Sequence, residues 1–188
     1  FGQAAYETEY NSGIASNGLT SARHDALHKT YAARYPESFD NSLQEEVVYI
    51  GPHQLTDEIN DAGTMRSVGK LLLSPTRSFA PVMKEILTHH FDAIHGLIHC
   101  SGGGQTKCLK YVPENVRIIK DKLFEPPVIF NILQKASEAD DREMFQVFNM
   151  GIGMVLIVSE SDVETVLNDL RHAKEPGIVI GEVTRGDR

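Results

Sequence analysis

Apolar positions recur along this chain with two different periods, and the switch between them lays out its elements. Leu19, Ala22, Ala26, Leu27 and Tyr31 share one face of a helix that should end before Pro36. Phe79, Val82, Met83, Ile86 and Leu87 repeat that spacing and predict a helix over residues 74–89, which Pro81 should kink or restart. Further helices are expected after Pro126-Pro127, carrying Ile129, Ile132, Leu133 and Ala136, over 141–148, and over 161–172 with Val163, Val166, Leu167 and Leu170. Continuous apolar runs at 94–100 and 152–158 read instead as strands buried on both faces, with 116–119 and 177–183 as two more. Residues 38–61 are mostly polar, a surface excursion in which only 47–50 reads as a short strand. Strands alternating with helices predict one α/β (α+β) domain over residues 1–188, a layered mixed β-sheet packed with helices.

Glycines punctuate this pattern where a strand meets a helix. His99-Cys100-Ser101-Gly102-Gly103-Gly104 follows an apolar run, and residues 105–111 are compatible with a short helix. Consecutive glycines let a ligand approach the backbone, and a helix start adds unpaired N–H groups, which together suit a phosphate. The same residues also serve as a tight turn that binds nothing. Phe148-Asn149-Met150-Gly151-Ile152-Gly153-Met154 enters the second apolar run, where alternating glycines mark a bulge or a close backbone approach. Asn149 either caps that turn or faces a ligand. Asn11-Ser12-Gly13-Ile14-Ala15-Ser16-Asn17-Gly18-Leu19-Thr20 opens the first helical pattern with hydroxyl, amide and glycine residues, and Leu73-Ser74-Pro75-Thr76-Arg77 places a cap-type serine and a first-turn proline before an arginine. The Arg77 guanidinium suits phosphate or carboxylate. Alternatively it makes a salt bridge on a helix surface.

Composition narrows the choice. With 188 residues, 41% hydrophobic and 23% charged, the chain can bury one sizeable core. A formal charge of −8 argues against a nucleic-acid surface but leaves room for a local phosphate site. Two cysteines, Cys100 and Cys108, are too few for a disulfide framework and fit a reducing, cytoplasmic setting. No apolar run approaches the roughly 20 residues that span a bilayer, and the first ten residues lack the features of a signal peptide. Of the eight histidines, His24 and His28 stand at i, i+4, a spacing that can grip zinc. No third ligand is near in sequence, so the pair reads as solvated surface and no metal site is expected. His99 is either a core histidine bonded to backbone or a donor and proton shuttle at a ligand.

The four segments, in this order, resemble the C-terminal domain of the aminoimidazole ribonucleotide synthetase family, also called phosphoribosylformylglycinamidine cyclo-ligases. The resemblance runs from Ser12 to about Val183. It implies a longer two-domain enzyme, homodimeric and cytoplasmic, whose absent N-terminal domain supplies most contacts to ATP and Mg²⁺. It implies ATP-dependent conversion of formylglycinamidine ribonucleotide to aminoimidazole ribonucleotide in purine biosynthesis. His99 is then the catalytic candidate, and Ser16, Asn17, Gly18, Arg77, Ser101, Gly102, Gly103, Gly104, Asn149 and Gly151 are the substrate- or nucleotide-binding candidates. Two departures stand out: Ala15 occupies a position where the family usually has histidine, and Lys107-Cys108 replaces the usual Glu-Asn. A selenophosphate synthetase-like or thiamine-phosphate-kinase-like enzyme, or a domain kept for ligand binding or assembly without chemistry, are the alternative readings.

Overall fold

A computed structural model describes residues 10–14 and 18–186. Ser16 and Asn17, and Ala15 beside them, lie outside the described residues. Along the chain run α1 (Leu19–Ala26), α2 (Thr30–Arg34), β1 (Glu58–Asp61), β2 (Thr64–Ser67), α3 (Val68–Leu72) and α4 (Ala80–His90). Then follow β3 (Ile94–His99), β4 (Val116–Lys120), α5 (Val128–Ser137), α6 (Asp141–Val147), β5 (Met154–Val158), α7 (Val163–His172) and β6 (Gly181–Arg185). The interleaving of helices and strands is as expected. The pairing is not that of one mixed sheet, because the described strands form three antiparallel pairs: β1 with β2, β3 with β5, and β4 with β6.

The β3–β5 pair is the centre of the layering. Met154, Leu156 and Val158 turn to one face, where Val82, Met83 and Ile86 of α4 and Val166 and Leu170 of α7 cover them. Val155 and Ile157 turn to the other, against Ile118 of β4, Ile180, and the cysteines. Both faces are covered, which is why the run carries no polar alternation. A separate helical core joins α1, α3, α5 and α6 through Ala22, Val68, Leu71, Phe130, Leu133 and Met144.

The structure departs from the periodic reading at three places. The stripe from Leu19 to Tyr31 breaks at Leu27, because residues 48–53 cross the end of α1. There the N–H groups of Ile50, Gly51 and His53 donate to the carbonyls of His24, Leu27 and Ala26 at 2.8, 3.0 and 3.1 Å. The expected strand at 47–50 is therefore a strap that satisfies helix-end carbonyls. Gly51 permits it, since a Cβ there would lie 2.2 Å from the Asp25 carbonyl oxygen. The β1–β2 hairpin is the second departure. Ala62 and Gly63, at φ 48° and 90°, form its two-residue turn, a geometry in which both central residues have positive φ. Third, α4 begins at Ala80 and not at Ser74, and Pro81 sits in its first turn without kinking it. Ser74 caps nothing there; its hydroxyl donates to the Lys70 carbonyl at 2.8 Å.

His24 is also corrected. It is a core residue, not a solvated one, and its Nδ1 accepts the Tyr49 N–H at 3.3 Å. Burial holds its pKa below the usual 6.5. Among the described residues no three His, Cys, Asp or Glu side chains converge as a metal site, and no helix is long and apolar enough to cross a membrane.

Candidate functional site

The chain leaves β3 at His99 and turns at once. Cys100 donates its N–H to the Gly153 carbonyl at 2.8 Å, fixing the strand end to the β5 entrance. The Gly104 N–H then returns to the Ser101 carbonyl at 3.1 Å, closing a turn in which Gly103 and Gly104 have φ of 92° and 50°. A 3₁₀ segment, Gly104–Lys110, follows.

The three glycines are not equivalent. Gly104 is buried, and a Cβ there would lie 2.4 Å from the carbonyl oxygen of Phe148 and 2.6 Å from that of Phe145. Its role is to let the turn press on the end of α6. Around Gly102 a Cβ would meet nothing within 4 Å. Among the described residues the N–H groups of Gly102 and Gly103 have no intramolecular acceptor. Two adjacent unpaired amides in a turn form a concavity suited to an anion.

His99 precedes the turn, Lys107 follows it, and Lys120 bonds to it. Lys107 donates from Nζ to the Ser101 hydroxyl at 2.6 Å. His99 is exposed, and its ring meets the edge of Phe79 at 5.6 Å between centroids. Partial burial, and then the Lys107 charge, hold the His99 pKa below 6.5. Its imidazole is therefore neutral at physiological pH and able to donate from one nitrogen while accepting at the other. Lys120, from β4, donates to the Gln105 carbonyl and Oε1 at 2.7 and 2.9 Å. Lys107, Gln105 and Lys120 were not among the sequence candidates. Lys107 departs from the family's usual pattern, and a cation next to a glycine turn is itself a phosphate signal.

The other glycine-bearing segments meet this turn. Gln105 donates through Nε2 to the Asn149 carbonyl at 2.6 Å, locking the two loops together. Asn149 is buried, and its Oδ1 accepts the Gly151 N–H at 2.8 Å, an Asx-type turn. Gly151 lies beside the segment that starts at Asn11, where a Cβ on Gly13 would be 3.4 Å from its Cα. Gly18 faces the Phe148 ring, 2.5 Å from the place its own Cβ would take. Ser12 donates its N–H to the Ser74 hydroxyl at 3.2 Å, and Asn11 reaches the Pro75 carbonyl at 2.9 Å. All four segments singled out in the sequence are thus in contact, directly or through one neighbour.

Arg77 occupies a different setting from the helix surface considered for it. It precedes α4, is buried, and pairs through a guanidinium nitrogen with the buried carboxylate of Glu175, which follows α7. Burial pushes the Glu175 carboxyl up and the guanidinium opposes that shift. Nothing local marks Glu175 as a partner, since 98 residues separate the two.

Comparison with known proteins agrees with this convergence. A family model described as AIR synthase related protein, C-terminal domain, matches residues 53–188. The chain is 34% identical over 178 residues to a phosphoribosylformylglycinamidine cyclo-ligase of Pseudothermotoga lettingae, covering 94% of this chain and 46% of that protein. It is 34% identical over 188 residues to the enzyme of that name from Caldicellulosiruptor saccharolyticus, covering 99% and 50%. For the Methanothermobacter thermautotrophicus protein so named, identity is 35% over 174 residues, covering 93% and 43%. The chain thus spans about half the length of the curated relatives it matches. With the four segments in contact and the family model covering most of the chain, the protein belongs to the AIR synthase-related family, as a C-terminal domain of the AIR synthetase type.

Proposed function

We propose that this chain is the C-terminal part of an ATP-dependent cyclo-ligase that converts formylglycinamidine ribonucleotide to aminoimidazole ribonucleotide in purine synthesis. The observation that carries the reading is the pair of unpaired amides at Gly102 and Gly103 beside Lys107 and His99, in a chain of this family. In this reaction ATP phosphorylates the formyl amide oxygen, the amidine nitrogen attacks the activated carbon, and phosphate leaves. The residues here serve the charge that moves with those phosphates. The Gly102 and Gly103 amides donate to phosphate oxygens, and Lys107 adds a full positive charge that exchanges the Ser101 hydroxyl for the ligand. A neutral His99 donates to a phosphate oxygen or takes a proton from the attacking nitrogen. The described residues offer no metal-ligand cluster, so no step through Mg²⁺ is assigned to them. The remaining parts of the reading are a homodimeric full-length enzyme in the cytoplasm, with Gly18, Asn149 and Gly151 shaping the loops around the ligand.

The test uses the full-length protein with formylglycinamidine ribonucleotide and ATP, measuring aminoimidazole ribonucleotide and ADP together. Turnover of both supports the reading. ADP formation only with selenide or thiamine phosphate, or no turnover of any of them, overturns it. Gly102→Val sharpens the assignment of the turn. A Cβ at this position would meet nothing within 4 Å, so stability should stay within about 0.5 kcal/mol of the parent. Its branched side chain over the turn should still keep a phosphate from reaching the amides, and loss of one such charge-assisted contact should weaken nucleotide or substrate binding by roughly 1.5–3 kcal/mol, about tenfold to a hundredfold. An unchanged Michaelis constant for both ligands would remove the turn from the site.

A further inference from the structure

We infer that Lys120 is a positioning residue for the anion at the glycine turn: through Gln105 it holds the turn against the Asn149 loop, in the shape that keeps the Gly102 and Gly103 amides open. The inference rests on the reading of that turn as a phosphate site.

Glycines restrict the backbone least, so a run of three is placed by whatever holds its two ends. One end is fixed by the β3–β5 pair, where the Cys100 N–H meets the Gly153 carbonyl at 2.8 Å. Within the turn the links are local. The Gly104 N–H donates to the Ser101 carbonyl at 3.1 Å, and the Thr106 N–H and hydroxyl donate to the Gly103 carbonyl at 3.1 and 2.8 Å. Gly104 limits how closely the turn approaches α6, but that contact is steric and does not bind the turn there. The other end is Gln105, the residue directly after the glycines, and it is buried.

Gln105 bonds in two directions. Its Nε2 donates to the Asn149 carbonyl at 2.6 Å and reaches the Ile152 carbonyl at 3.4 Å. Its Oε1 and its backbone carbonyl both accept from Lys120 Nζ, at 2.9 and 2.7 Å. One ammonium thus grips both oxygens of the residue that follows the glycines. The grip fixes the sense of the side-chain amide. A flipped amide would set its NH₂ against the ammonium and its oxygen against two carbonyls. The ammonium also offsets the negative end of a peptide carbonyl two residues beyond Gly103, where an uncompensated one would repel an anion.

Lys120 can serve as a fixed origin because its own backbone is held. It ends β4, opposite Gly181 of β6, and the next two N–H groups, of Asp121 and Lys122, donate to the Ile180 carbonyl at 3.1 and 3.2 Å. Its side chain is half-buried, so its charge is screened less than that of a surface lysine. A loop held from a paired strand has fewer conformations to lose when a ligand binds, and that saving appears as affinity. Lys120 acts through Gln105, whereas Lys107 stands on Ser101 within the turn itself. The two lysines therefore have different tasks: Lys107 supplies charge to the ligand, and Lys120 sets the shape of the site.

The experiment titrates inorganic phosphate into the full-length protein labelled with ¹⁵N-glycine and follows the Gly102 amide signal, identified by its loss in Gly102→Ala. In the parent the signal should move and saturate. In Lys120→Met the dissociation constant read at Gly102 should rise about tenfold, and Lys120→Arg, which keeps a cation, should restore most of that loss. A role confined to stability would move the unfolding midpoint and leave the constant of the folded protein unchanged, so urea melts accompany the titration. Should Lys120→Met not fold, Gln105→Leu cuts the same link from its other side and carries the same expectation. The inference is overturned if phosphate leaves the parent Gly102 signal unmoved, if folded Lys120→Met binds as the parent does, or if Lys120→Arg is no better than Lys120→Met. Turnover of formylglycinamidine ribonucleotide is measured on the same parent protein. No turnover, with Gly102 still responding to phosphate and responding less in Lys120→Met, would remove the proposed reaction and support the role of Lys120.

Discussion

Replacing Arg77 with alanine should cost this domain about 3–5 kcal/mol of stability, because it leaves a buried carboxylate without its cation. The Arg77 and Glu175 side chains are 4% and 0% exposed, and among the described residues Glu175 Oε1 has no hydrogen-bond partner. Arg77 is therefore the main compensation for a charge taken out of water. The loss should also depend on pH in a set direction. Burial raises the Glu175 pKa, and the guanidinium is what restrains it; without Arg77 the folded state binds a proton at Glu175 more tightly still. A carboxyl raised above its unfolded value, about 4.3, contributes stability present below that value and lost as pH rises through the folded one. The Arg77→Ala deficit should accordingly be larger at about pH 8 than at about pH 5. Urea melts of parent and variant at both pH values measure it. The double change Arg77→Met with Glu175→Leu should recover most of the loss, since a buried ion pair replaced by apolar residues of similar size is often neutral. A deficit under about 1 kcal/mol, the same at both pH values, would show that water reaches the pair.

Gly104→Ala should be nearly as damaging, for a steric reason. The new Cβ would lie 2.4, 2.6 and 3.0 Å from the carbonyl oxygens of Phe148, Phe145 and Gln146. These are backbone atoms at the end of α6, where Phe148 itself is held by the Met144 carbonyl at 2.8 Å. They cannot swing aside as a side chain would. Strain at a φ of 50° adds to the clash, and the two together should cost roughly 3–5 kcal/mol. Gly102→Ala, two residues away and surrounded by open space, should be close to neutral, within about 0.5 kcal/mol. Denaturant unfolding of the two variants side by side gives the contrast. Equal stabilities would mean that α6 can withdraw from the turn, and that Gly104 is no more constrained than its neighbour.

Both results turn on positions whose neighbours are remote in sequence, and this marks what could be read without a structure. Elements whose apolar period was strong came out in place. The run at 94–100 became β3, Pro126-Pro127 opened α5, and Val163, Val166, Leu167 and Leu170 lie on α7. Here local propensity and burial point the same way. The β1–β2 hairpin leaves no mark in the pattern because its four-residue strands are polar and its turn is Ala62-Gly63, not one of the usual asparagine or aspartate pairs. The motif segments were legible as a set, and they do meet. Gln105 and Lys120 were not legible as partners, because their hydrogen bonds join β4, the glycine turn and the Asn149 loop.

By itself the sequence determined the alternation of helices and strands, the apolar core positions, the family, and the glycine turn after His99. These rest on periodicity, on residue type, and on motifs only a few residues long. The tertiary structure decided which of three adjacent glycines presses on α6 and which two keep open amides. It also decided that Arg77 faces Glu175, that His24 is core, and that the residues after Val47 strap the end of α1. Each of these depends on a group brought close by the chain's return, and neither period nor composition carries the distance between two atoms far apart in sequence.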